Sequence, residues 1–368
     1  MGVSMTRVVL VTGVSRYLGC RLAGRLAADP QIDRVIGVDT SPPSRAELDL
    51  LGRTEFVRAD IRNPLITKVI DQAEVDTVVH ASLTATPHRA GGRAPMKELN
   101  VIGTMQLLAA CGKAETVRRV VVKSTTAVYG ASPRDPAVFT EETPAKALPG
   151  GGYAKDAVEV EGYLRGFCRR RPDVAVTTLR FANFAGPFID TPLTRYFQLP
   201  VVPTAFGFDP RFQLVHEIDA IEVLRLAATT DRPGTFNVAG DGVLLLSQAI
   251  RRAGKLAVPV PVPAVATLGR AMRRSGLVDF SPEQTQFLNF GRVVSNQRLK
   301  DEFGYLPSYS TSAAFDTLLT GRPVRKLISP ELVAAAEQRL ARLLRVPAAG
   351  PSVPAGPSRT TEQAARHG

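Results

Sequence analysis

A run of aliphatic and β-branched residues, Val8-Val9-Leu10-Val11-Thr12, leads straight into Gly13-Val14-Ser15-Arg16-Tyr17-Leu18-Gly19, where a helical pattern opens. Few arrangements constrain a fold so strongly. Glycine directly after a strand lets the chain turn sharply, and glycine one turn into the next helix lets helix and strand pack closely. The helix start offers unpaired N–H groups and the positive end of its dipole to an anion. Asp39 ends a second short run, Arg34–Asp39, twenty residues beyond Gly19. A carboxylate at that place accepts hydrogen bonds from adenosine ribose hydroxyls and repels a 2′-phosphate. Gly13, Gly19 and Asp39 in this register predict a dinucleotide site with NAD, rather than NADP, as cofactor.

The rest of the chain continues the rhythm. Strands are expected at Val8–Thr12, Arg34–Asp39, Glu55–Arg58, Thr77–His80, Arg119–Ser124, Val174–Arg180 and Thr235–Val238. Helices are expected at Leu18–Ala28, around Ile66–Gln72, and at Asn100–Cys111, Tyr153–Arg169 and Ile218–Ala228. Short β-branched runs alternating with amphipathic stretches predict an α/β fold, a Rossmann-type doubly wound parallel sheet with helices on both faces. The predicted organisation is a dinucleotide-binding domain over 5–190, its sheet completed by about 234–240. A smaller, mostly substrate-binding lobe follows over 191–328, where Pro- and Phe-rich segments break the rhythm. An amphipathic terminal helix over 329–346 and an Ala/Pro/Gly/Ser-rich, disordered tail over 347–368 complete the expectation.

Charge narrows the partners. Lys and Arg total 46 against 34 Asp and Glu, a formal charge of +12, which favours anionic ligands. Cys20, Cys111 and Cys168 are scattered without a C-x-x-C pair, so neither a disulfide framework nor a zinc site is expected, and a cytoplasmic location suits them. No apolar run approaches the length of a membrane span. The chain has no tryptophan and does not interleave basic residues with stacking aromatics, so nucleic acid is not an expected partner.

Ordered along the chain, further segments carry a resemblance. They are Asp60-Ile61-Arg62, Val78-Val79-His80-Ala81-Ser82, Asn100-Val101-Ile102-Gly103-Thr104 and Ser124-Thr125-Thr126-Ala127-Val128-Tyr129-Gly130. Arg180-Phe181-Ala182-Asn183, Gly186-Pro187, Val215-His216-Glu217-Ile218-Asp219-Ala220 and Phe236-Asn237-Val238-Ala239-Gly240 follow. With the glycine turn, this set resembles the extended short-chain dehydrogenases, in particular the NAD-dependent epimerase/dehydratases similar to UDP-glucose 4-epimerase, from about Thr6 to Leu319. The resemblance implies that Gly13, Arg16, Tyr17, Leu18, Gly19, Asp39, Asp60, Ile61, Ala81, Ser82, Asn100 and Tyr153 bind the cofactor. It implies Tyr153 as the acid/base during hydride transfer, with Thr125 as the hydroxyl that clamps substrate and Asn183 as a substrate hydrogen-bonding residue or a loop brace.

Two positions depart from the family pattern. A phenol with a pKa near ~10 is a poor base at neutral pH, so the family sets a lysine four residues after the tyrosine. Here that position is Ala157, and Lys155, two residues from Tyr153, should point away, roughly 200° around the helix. Lys123 shares a strand face with Thr125, and either fills the space left at Ala157 as the catalytic cation or lies along the strand end. The middle glycine of the turn is Arg16, which reaches the pyrophosphate, meets a 2′-phosphate or faces solvent. His80, His88 and His216 lack ligand spacing, Asn237 reads as a backbone brace, and Asp219 as a helix-start carboxylate.

Three functions remain open. One is an NAD-dependent epimerase, dehydratase or dehydrogenase acting on an anionic nucleotide sugar. A second is a catalytically weak NAD-binding sensor or scaffold. The third is a membrane-surface sterol or lipid alcohol dehydrogenase. It draws on Arg251, Arg252, Lys255, Arg270, Arg273 and Arg274, with Val260, Val262, Val265 and Leu268 between them, as a peripheral membrane contact through 251–275. The resemblance also implies a homodimer paired through Asn100–Cys111 and Tyr153–Arg169.

Overall fold

The computed structural model describes residues 7–85, 92–144, 152–199, 201–261 and 282–321. Seven strands form one parallel sheet: β1 (Val8–Thr12), β2 (Arg34–Asp39), β3 (Glu55–Arg58), β4 (Thr77–His80), β5 (Arg119–Thr125), β6 (Ala175–Phe181) and, much later, Gly234–Val238. Their spatial order is β3-β2-β1-β4-β5-β6 with Gly234–Val238 on the far edge beside β6. The order reverses between β1 and β4, and in sheets of this kind ligands settle in the crevice outside the strand ends at such a point.

The central strands are apolar on both sides because helices cover both faces. Val9, Val11, Val79 and Val121 pack with Leu22 and Leu26 of α1 (Tyr17–Ala27) and with Leu224 of the later helix Glu217–Thr229. Leu10, Val78, Val120 and Val122 pack on the opposite face. There they meet Ile66 and Ile70 of α3 (Leu65–Gln72), Leu107 and Leu108 of α5 (Gly103–Lys113), and Val160 and Leu164 of α6 (Gly152–Arg170). Two short helices precede α5: α2 (Arg45–Leu51), opened by a Ser44–Glu47 capping box, and α4 (Arg93–Lys97). The expected helix from Asn100 is not regular throughout, since Glu98–Ile102 winds as a wider π turn before α5 begins.

Smaller elements stand beyond β6. β7 (Asn183–Ala185), β8 (Val201–Ala205), β9 (Arg211–Phe212) and β10 (Leu214–His216) precede the sheet's last strand, which is therefore β11. β12 (Leu244–Leu245) and β13 (Leu256–Val260) follow it. The helices here are α7 (Pro192–Tyr196), α8 (Glu217–Thr229), α9 (Leu246–Arg252), α10 (Pro282–Phe290), α11 (Gln297–Asp301) and α12 (Thr311–Gly321). Tyr196, Phe197, Phe212, Leu246 and Phe315 build a second core among them.

The predicted helix over 329–346, the tail over 347–368, His88, and Val262, Val265, Leu268, Arg270, Arg273 and Arg274 lie outside the described residues. Of the basic stretch, Arg252 pairs with Asp316 at 3.1 Å and Val260 with Ala205 across the β13–β8 ladder. Among the described residues no helix is long and apolar enough to cross a membrane, and no cluster could hold a metal ion.

Candidate active site

The glycine turn is built as tightly as its sequence requires. Gly13 sits at φ +79°, and a Cβ there would lie 2.9 Å from Ser82 Cα. A Cβ on Gly19 would lie 2.2 Å from the Gly13 carbonyl oxygen. The cradle is thus closed to any side chain and open to a ligand that approaches the backbone. Among the described residues no side chain caps the start of α1, where Arg16 occupies the N-cap position in an extended conformation. The first amides of α1 remain available to a pyrophosphate, so the residues present fit a dinucleotide.

The residues expected on the adenosine side are ordered by their own contacts. Asp39 accepts from the backbone N–H of Ser15 at 3.1 Å and of Thr40 at 2.7 Å, tying the end of β2 to the turn. Asp60 is ion-paired with Arg62 at 2.6 Å, and the Arg62 guanidinium holds its carboxyl below the usual carboxylate range. Ile61 packs so closely on Gly103 that a Cβ there would meet it at 2.8 Å. His80 is a buried strut rather than an acid or base. Its ring spans Thr12 at 2.9 Å and Thr104 at 2.8 Å, and burial pushes its pKa down to about 3. Thr12 also accepts from the backbone N–H of Ala81.

A cavity of about 260 Å³ opens beside the turn, walled by Arg16, Tyr17, Leu18, Gly19, Ala81, Lys123, Thr125, Tyr153 and Asn183 among others. Gly13, Asp39, Asp60, Ile61, Ser82 and Asn100 stand outside this wall. Thr125 ends β5, and its hydroxyl oxygen accepts from the N–H of Ala127 at 3.1 Å, which directs the hydroxyl proton elsewhere. Tyr153 reaches the cavity from the first turn of α6. Asn183 opens β7, which is paired with β10 at Leu214. Tyr17 donates to Glu217 at 2.7 Å, and the same carboxylate accepts from the N–H groups of Phe188 and Ile189.

Arg16 folds across the turn and donates to the Ser82 carbonyl at 3.1 Å. Lys123 donates to the next carbonyl, Leu83, at 2.6 Å. The expectation that Lys123 fills the room left at Ala157 is corrected here. Ala157 is wholly buried among Val128, Tyr129, Phe139, Ala182 and Val294, off the cavity wall. Lys123 instead leaves the sheet face that carries α1 and α8, because β5 alternates: Val121 joins that face, while Ser124 turns to Glu161 of α6 at 2.6 Å. Lys155 takes no part in the wall.

The sequence motifs named Asn100 but not Asp156, Arg93 or Arg292. Asn100 binds both backbone groups of Thr84, at 2.9 and 3.0 Å, and so holds the segment after β4 rather than entering the cavity. Its amide also donates to Asp156, which is clamped by Arg93. Arg292 lines the cavity and donates to Gly130 O at 2.7 Å. Asp156, three residues past Tyr153 on one helix face, was the available signal for this support. Arg180, Glu161, Tyr129 and Asn237 form a buried chain behind β5 and β6; Asn237 accepts the Tyr129 hydroxyl at 2.8 Å. His216 caps α8 through Ile218 N–H, and Asp219 anchors Tyr305, Ser308 and Tyr309, both structural roles.

Residues 9–239 match the family model for the NAD dependent epimerase/dehydratase family. The chain belongs to that family. NAD is accordingly its cofactor. The family member is 51% identical over 333 residues to an uncharacterized protein of Mycobacterium tuberculosis, covering 90% of this chain and 89% of that one. Its fold is that of dTDP-glucose 4,6-dehydratase from Bacillus anthracis in complex with NAD (TM-score 0.66, 18% identity, 86% and 96% of the two chains). It equally matches UDP-glucose 4-epimerase from Thermotoga maritima with UDP-glucose (TM-score 0.65, 17% identity, 85% and 98%).

Proposed function

We propose that this epimerase/dehydratase family member oxidises and reduces a nucleotide sugar, with Tyr153 as the acid/base. One observation carries the reading: Thr125 and Tyr153 wall the same cavity as Tyr17, Leu18 and Gly19 at the start of the cofactor-binding helix. The solved relatives bound to NAD or to UDP-glucose support the substrate class. NAD, when bound, supplies the acceptor and donor of the hydride at the sugar carbon. Thr125 orients the reacting hydroxyl by hydrogen bonding. The Tyr153 oxygen takes the hydroxyl proton as the C–H bond breaks, and returns it when the ketone is reduced. Asn183 holds the sugar from the β7 side of the cavity.

The test is calorimetric titration with NAD and NADP, followed by turnover of nucleotide sugars, on wild type and Tyr153→Phe. The expected result is NAD binding in both proteins and a turnover loss of roughly 10²–10⁴-fold in the variant. A second reading, an NAD sensor without turnover, draws on Ala157 being sealed in an apolar cluster. It requires that no nucleotide sugar be converted by the wild type.

A further inference from the structure

β4 ends at His80, paired with Val122, while β5 runs on to Thr125 beside β6 alone. Lys123 is therefore the first residue of β5 to project past its neighbour, into the crevice at the strand ends. It is 8% exposed, and among the described residues its ammonium makes one hydrogen bond, to Leu83 O, with the Phe184 ring 6.0 Å away. Among the described residues no carboxylate pairs with it. An ammonium has three donors, and a buried charge without a counter-ion is costly unless a ligand completes its shell. Position 157, the family's usual source of a cation, is closed off by Val128, Tyr129 and Phe139.

We propose that Lys123 is the catalytic cation of this cavity, donating from β5 to the ligand oxygens held between Thr125 and Tyr153. The proposal rests on the reading of the cavity as the hydride-transfer site. Lys123 and Thr125 enter from one strand face and Tyr153 from a helix packed on the other, so the charge that supports the phenolate comes from the sheet instead of the helix. Burial and the neighbouring Arg16 push the Lys123 pKa down to about 7 in the free protein. The other titratable groups around it are His80 on β4, and along the cavity wall Tyr17, Tyr153, Tyr196, Arg93, Asp190 and Arg292. An anionic ligand that fills its shell draws a proton onto Lys123.

The experiment is calorimetry of NAD binding at pH 7.5 in HEPES and in Tris, whose differing ionisation heats report proton uptake. Wild type takes up roughly half a proton or more per NAD. Lys123→Met binds about tenfold more weakly without uptake; Lys123→Arg, which keeps the charge, retains affinity but loses the uptake. Lys155→Met behaves as wild type. Unchanged affinity and uptake in Lys123→Met, or persistent uptake in Lys123→Arg, overturns the proposal while leaving the hydride-transfer reading intact. Absence of NAD binding by folded wild type overturns both.

Discussion

Asp156 accepts from both terminal guanidinium nitrogens of Arg93, each at 2.7 Å, while lying wholly buried three residues after Tyr153. The same Arg93 donates to Gly152 O, so one side chain fastens the first turn of α6 that carries the tyrosine. Asn100 adds a third contact to the carboxylate and links it to the segment after β4. The helix start is thus fastened by an ion pair and hydrogen bonds.

Arg93→Met leaves the buried Asp156 carboxylate without its cation and with only the Asn100 amide among these contacts. Arg93 is itself 39% exposed, so solvent screening holds the expected loss to about 2 kcal/mol, below that of a fully enclosed pair. Urea unfolding measures it. Turnover should fall with it as Tyr153 loses its footing, and unchanged stability and rate would show the pair to be incidental.

Gly13→Ala places a methyl against Ser82 at a φ of +79°, a conformation that costs an L-residue about 1 kcal/mol before any clash. The far-UV circular dichroism should persist while NAD affinity drops at least tenfold. An alanine variant with native affinity would mean that the cofactor backbone does not approach this turn.

His80 makes stability depend on pH. Its folded pKa is depressed below the unfolded value near ~6.5, so the unfolded chain binds the extra proton, and stability present above that pH is lost as pH falls. Between pH 7.5 and 5.5 the loss attributable to this group is about 1.4 kcal/mol, because the native ring stays neutral throughout. Urea unfolding of wild type and His80→Asn at both values checks it: the variant's stability difference between them should shrink by that amount.

Ala157→Lys would restore the family's spacing on paper. In this fold it forces a long cationic chain among Val128, Tyr129, Phe139 and Val294, where overpacking alone costs about 1–3 kcal/mol. The melting temperature should fall and turnover should not rise. A faster enzyme would show that position 157 still opens toward the ligand and that Lys123 is not required.

The strands of the sheet were readable almost to the residue. Val8–Thr12, Arg34–Asp39, Glu55–Arg58 and Thr77–His80 form as expected; Val8–Thr12, buried on both faces, is written as an almost unbroken apolar run, whereas Glu55–Arg58 is exposed at both ends. α2 went unseen: its Leu48 and Leu50 are half exposed, so it shows little apolar periodicity. The π turn at Glu98–Ile102 was equally invisible, because it reflects local fit, with Asn100 reaching Thr84 and Asp156, and not composition.

By itself the sequence determined the parallel sheet, the glycine cradle and its cofactor class, because these depend on local spacing: strand, turn, helix start, then Asp39. It also determined that Lys123 and Thr125 share a face, a consequence of the two-residue period of a strand. Only the tertiary structure decided where that face leads. β4 stops short of β5, which opens a path for Lys123 to Leu83, and the packing around Tyr129 shuts Ala157 away from the cavity. Strand ends and side-chain neighbours are set by elements far apart in the chain. Glu217, 200 positions after the Tyr17 it binds, belongs to that second kind of information.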